Sequence, residues 1–150
     1  MEDAIAGQLT RALALQLTGE QHRQFNKRST HNVAAYQDYL QGRYLYLNKR
    51  TQENMEKAIA HFHSAIKADP AYAQPYAGIA GCYNQLGRVN ITARPPLEAW
   101  RLAAEFVGKA LAIASELAEA HVALGYVRSR NREWAAAEAE FKRALELNPN

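Results

Sequence analysis

From Met55 onward, apolar positions recur in steps of three and four residues, and small residues fall at fixed places among large ones. Met55, Ala58, Phe62 and Ala65 set the spacing; Trp100, Ala103, Val107 and Ala110 repeat it, as do Trp134, Ala137, Phe141 and Ala144. Such steps keep side chains on one face of an α-helix. Each set therefore predicts a helix whose contact stripe alternates bulk with Ala, so that a neighbour can approach at the Ala positions while the large residue fills the space beside them. Trp134 and Phe141 are expected to be core residues on this pattern. Ile66, Leu111 and Leu145 follow the final Ala of each set, and Pro70 and Pro149 close two of the three. Repetition on this scale predicts a fold made by stacking one unit.

Each unit needs a helix ahead of the repeated one. In the third, His121, Leu124, Gly125 and Arg128 supply it and Asn131 marks the turn; in the second, Tyr76, Ile79, Ala80 and Tyr83 do so, and Gly87 follows as a stop. The first unit's opening helix covers about Ala35–Leu47. Gly42 is its natural close-packing residue, a register that leaves Asp38 and Gln41 on the buried face, and the sequence admits other registers. Thr51 suits an N-cap. Ala103 and Ala137 stand 34 positions apart, whereas Ala58 and Ala103 stand 45 apart. The excess falls in Arg88–Pro96, where Pro95-Pro96 suits the first turn of the next helix. The first unit is also expected to carry an extended loop around Asn48–Asn54. Both loops are basic (Lys49 and Arg50; Arg88 and Arg94) and should project on one edge. Residues Asp3–Thr18 predict a further helix, with Ile5, Leu9, Leu13 and Leu17 on one stripe and Gly19 as its stop; a polar, basic connector, Gln21–Thr30, follows.

The paired helices, the 34-residue spacing and the Ala-Phe-Ala stripe resemble the tetratricopeptide repeat (TPR). The resemblance implies an all-α superhelix of antiparallel helix pairs, about three repeats with an extra N-terminal helix. Residues 1–34 would hold the helix and connector, and the repeats would span about 35–72, 73–117 and 118–150. His121 stands where the family usually has Trp, and Arg128 where it often has Tyr. More narrowly, AYQDYLQGRYLYLNKRTQENMEKAIAHFHSAIKADPAYAQPYAGIAGCY, after a leucine-striped helix ending in LQLTGEQ, resembles bacterial multidomain regulators. In these a winged-helix, kinase or cyclase domain precedes a TolB-like domain and TPRs. That implies the C-terminal sensing or assembly part of a larger signalling polypeptide, with no catalytic or DNA-reading residue in this chain.

Composition narrows the function further. The net charge is +3 over 150 residues, too mild to argue for nucleic acid, and nothing approaches a transmembrane run. One cysteine, Cys82, excludes an internal disulfide and suits a reducing compartment, hence a cytoplasmic location; it is expected as a small buried thiol. No phosphate-binding glycine loop, HExxH or paired-Cys site is present. His61 and His63 point to different helix faces and cannot share a metal. Asn90-Ile91-Thr92 fits a glycosylation sequon but has no secretory signal with it. Glu116, Glu119, Glu133, Glu138, Glu140 and Glu146 read as solvated helix faces. No cofactor, metal or catalytic residue is expected.

The family's ligands usually lie in the groove lined by the first helix of each repeat. Mapped here, that groove holds Gln74, Ala77, Gly81, Asn84 and Gln85 in the second repeat and Glu119, Val122, Tyr126, Ser129 and Arg130 in the third. Tyr36, Tyr39, Arg43 and Tyr46 form a Tyr/Arg-rich surface on the first, a composition enriched in binding hot spots. Chaperone-binding relatives clamp a C-terminal carboxylate, but Ala77 and Gly81 stand at two of the clamp positions. Arg88, Arg94, Arg128 and Arg132 could form a basic edge for phosphate or an acidic peptide. The expected function is a non-catalytic scaffold that binds a peptide or protein in the groove. The alternative is self-association into a homodimer, because Ala144, Leu145 and Leu147 close the last unit with no polar helix over them.

Overall fold

A computed structural model describes residues 30–48, 50–88 and 95–150. The helix expected over Asp3–Thr18, nearly all of its connector, and Arg94 lie outside the described residues. Among the described residues the chain forms six helices and no strand: α1 Val33–Asn48, α2 Gln52–Ala68, α3 Ala73–Leu86, α4 Pro96–Ile113, α5 Ala118–Arg130 and α6 Trp134–Leu147. They pack as consecutive pairs, α1 on α2, α3 on α4 and α5 on α6, while α2 meets α3, α4 meets α5, and α3 lies between α1 and α5. Short connections make successive helices antiparallel, so the three first helices, α1, α3 and α5, run the same way side by side.

The stripes pack as the spacing predicts. Met55, Ala58, Phe62 and Ala65 are buried on α2, Ala103, Val107 and Ala110 on α4, and Ala137 and Ala144 on α6. A trade in side-chain size repeats along the stack. Phe62 lies between Gly42 of its own pair and Gly78 of the next, where an added Cβ would come within 2.8 and 2.6 Å of its ring. One unit further on, the smaller Val107 clusters with the larger Ala80 and Ala123. In the last unit Phe141 lies against Gly125, where a Cβ would come within 2.6 Å. Interiors packed to crystal-like density leave no other way to fit a ring there.

Caps and polar ties set the ends. Asn54 N–H donates to Thr51 Oγ1 (3.2 Å), as the N-cap reading of Thr51 requires. Asn32 accepts from the Ala35 amide at 3.0 Å and donates to the Ala68 carbonyl at 3.0 Å, and the Thr30 hydroxyl donates to Asp69, so the start of α1 is pinned to the end of α2. The register left open for α1 is the one centred on Gly42. Asp38 is only half-buried and meets His61 at 3.1 Å, and Gln41 is exposed.

Three expectations are corrected. No extended loop follows α1: the helix runs to Asn48 and α2 starts at Gln52, so the extra residues lengthen the helix. Trp134 is 66% exposed, because it opens the last helix and no further unit covers it. Its counterpart Met55 is fully buried under the following pair, and Trp100 is half-covered, with the Arg130 guanidinium 5.2 Å from its ring centre. Glu140 is no solvated surface residue. It meets His121 Nδ1 at 2.7 Å and Arg128 Nε at 3.4 Å, and His121 Nε2 reaches the Ser115 carbonyl at 2.9 Å. One carboxylate thus joins the two positions that depart from the family pattern.

Candidate functional site

The parallel first helices turn their free faces into one cleft of about 380 Å³. Helical spacing explains its lining. Tyr39, Arg43 and Tyr46 recur along α1, with Arg50 just past its end; Gln74, Ala77, Gly81 and Asn84 recur along α3, with Arg88 just past its end; Glu119, Val122, Tyr126 and Arg130 recur along α5. The floor is low because α3 presents Ala77, Gly78 and Gly81, with Phe62 beneath. Tyr46 leans over Gly81, where a Cβ would meet its hydroxyl at 3.2 Å. Tyr126 stacks edge-on against Phe141 at 5.3 Å.

Of the groove candidates, Tyr39, Arg43, Tyr46, Asn84, Gln85, Tyr126 and Arg130 all line this cleft. Tyr36 does not; it packs, half-buried, against the first unit's core. Tyr39 does double service, its ring buried 5.9 Å from Phe62 and 5.3 Å from Tyr72 while its hydroxyl faces Arg43 at 3.5 Å. Burial raises its phenol above the ordinary value, and Arg43 partly opposes the rise. The Tyr46 phenol is also raised by burial, against a hydrogen bond from Gln85. The candidates for a basic edge separate. Arg88 enters the cleft, Arg128 is tied to Glu133 at 2.9 Å and to Glu140, and Arg132 sits exposed at φ 63° in the α5–α6 turn. Glu119 lines the cleft at its mapped groove position, and Leu47 and Arg50 join the lining as well. Arg50 lies in the short connection between α1 and α2, as its place in the sequence implies, and the length of α1 brings that connection to the cleft.

Asn84 is the most enclosed polar side chain of the cleft, at 7% exposure. Its amide donates to the Ala123 carbonyl of α5 at 3.2 Å, which orients the group and leaves Oδ1 buried with no partner; Gln85 Oε1 is in the same state. Cys82, on the far side of α3, is buried, and burial pushes its thiol well above the ordinary range. Among the described residues no three His, Cys, Asp or Glu gather as a metal site, and no helix is long and apolar enough to cross a membrane.

Neither a protein-family model nor a curated protein matches the sequence. Solved structures do match the fold. The Arabidopsis OM64 TPR domain superposes with a TM-score of 0.59 at 23% identity, over 77% of this chain and 84% of its own. The second TPR of Spaghetti (RPAP3), bound to the HSP90 peptide SRMEEVD, gives 0.58 at 19% identity, over 78% of this chain and 94% of its own. The first TPR of Spaghetti, bound to the same peptide, gives 0.59 at 20%, over 81% and 85%. The fold is that of a TPR domain. In TPR terms α1, α3 and α5 are the first helices of three repeats, and the cleft is the concave face of the stack.

Proposed function

We propose that this chain is a non-catalytic interaction module that takes a peptide or protein partner along the concave cleft. We place it within a larger cytoplasmic regulator of the bacterial type its sequence resembles. One observation carries the reading: α1 and α5 bring aromatic and cationic side chains, and α3 small and amide ones, to a single cleft. The two peptide-bound neighbours of the same fold support it. Display of a random 12-residue peptide library, selected on the protein and on Gly81→Trp, tests it. An indole at Gly81 would fill the cleft floor, and circular dichroism checks that the variant is folded. Sequences that enrich on the protein and are lost on the variant are expected. Equal enrichment on both would put binding elsewhere.

The second reading is self-association. Val122, Phe141 and Leu145 line a second groove that adjoins the cleft at Glu119 and Val122, and Leu145 is 63% exposed. Light scattering over a concentration series should then show a dimer that Leu145→Glu dissolves. A constant monomer mass removes this reading.

A further inference from the structure

We propose that the cleft takes an internal acidic stretch of a partner polypeptide, its carboxylates against Arg50, Arg88 and Arg130 and its main chain against Asn84. This rests on reading the cleft as a peptide site and names the ligand's chemistry. The first observation is where ion pairs are missing. Lys57, Lys109, Lys142, Arg101, Arg128 and Arg143 each meet a glutamate within 4 Å. Among the described residues, the lysines and arginines that meet none are Lys67, Arg132 and the four cleft arginines Arg43, Arg50, Arg88 and Arg130, and these four converge on one cavity. Cations near helix C-termini ease the helix dipole from any side. That effect does not call for three of them to face one cleft.

The second observation is the pair of buried acceptors, Asn84 Oδ1 and Gln85 Oε1, which lack donors. Buried polar atoms are nearly always bonded, and the amide N–H groups of an extended peptide are the donors that fit. A phosphodiester chain has no main-chain N–H to offer these two acceptors, which favours a polypeptide over nucleic acid. A free C-terminus is not needed. Ala77 and Gly81 present no side-chain donor, and Arg50, Arg88 and Arg130 stand at or just past the C-terminal ends of successive first helices. Adjacent helices pack roughly 8–10 Å apart, so one terminal carboxylate cannot serve all three. An extended chain rises about 3.3 Å per residue, so acidic side chains two or three positions apart would match.

The test is the same displayed library, fused so that no peptide has a free C-terminus, selected on the protein and on Arg50→Ala/Arg88→Ala/Arg130→Ala. Enrichment of Asp and Glu by at least twofold over the input, spaced by two or three and lost on the triple variant, is the expected result. Enrichment without acidic preference would overturn this inference and leave the cleft as a peptide site. No enrichment at all would sink both. Acidic enrichment that survives in the triple variant would move the site elsewhere. A labelled dT12 oligonucleotide that binds tighter than the best selected peptide would replace peptide by nucleic acid.

Discussion

Two aromatic residues of the repeated stripes should behave very differently. Phe62 is closed in on both sides, so Phe62→Ala should cost about 3–5 kcal/mol. Trp134 is exposed, and Trp134→Ala should change the stability read from urea unfolding by no more than about 0.5 kcal/mol. A large loss at Trp134 would mean that something covers it in solution. Glu140 serves His121 and Arg128 at once, so Glu140→Ala should lose about 1.5–3 kcal/mol, measured in the same way. Tyr39 and Tyr46 bear on alkaline stability. Both folded-state values lie above the ordinary 10.0, so the unfolded chain loses these protons first. Their contribution is complete below about pH 10 and declines as pH rises toward the folded values. Unfolding midpoints followed from pH 9 to 11 should fall, and Tyr39→Phe should flatten the fall. The small and large positions of the stripe were legible in the sequence because helical spacing alone places them. The exposure of Trp134 was not, because it depends on what stacks beyond the residue.

At the scale of the helix, glycine carries opposite meanings in two places. Gly125 is pressed against Phe141, and Gly125→Ala should overpack that contact at a cost of roughly 1–3 kcal/mol. Gly108 lies inside α4 with nothing within 4 Å of an added Cβ. There Gly108→Ala should stabilise by about 0.5–1 kcal/mol, since glycine weakens a helix interior. Thermal melts of the two variants must move in opposite directions. The second helices were readable from their stripes, and Pro96 at the first position of α4 followed from its fixed φ. The register of α1 was not readable. It places Asp38 toward α2, where His61 receives it, and a polar pair across sequence-distant helices leaves no periodic trace.

Among the described residues, each unit packs chiefly on its neighbours, so stability should be greatest in the middle of the stack. Amide exchange is expected to be slowest in α3, which is packed by α1, α2, α4 and α5, and fastest in α6. Equal protection along the described helices would contradict this. Most of the cleft was legible, since Asn84, Gln85, Tyr126 and Arg130 follow from placing the first helices side by side. Its charge character was not. Which arginines meet a glutamate depends on side chains brought together from different helices, so Arg128 and Arg130 read alike in sequence and differ in the fold.

The alternation of Gly42, Phe62 and Gly78 with Ala80, Val107 and Ala123 also limits how such a chain can be recombined. Moving α2 into the place of α4 would drive a phenyl ring into two methyl groups. The reverse exchange would leave a void beside two glycines. A segment that shuffles cleanly must therefore run from one second helix into the first helix that follows it, carrying the ring together with the far half of its socket. The modules of this protein, as units of inheritance, are offset by one helix from the pairs that the eye picks out.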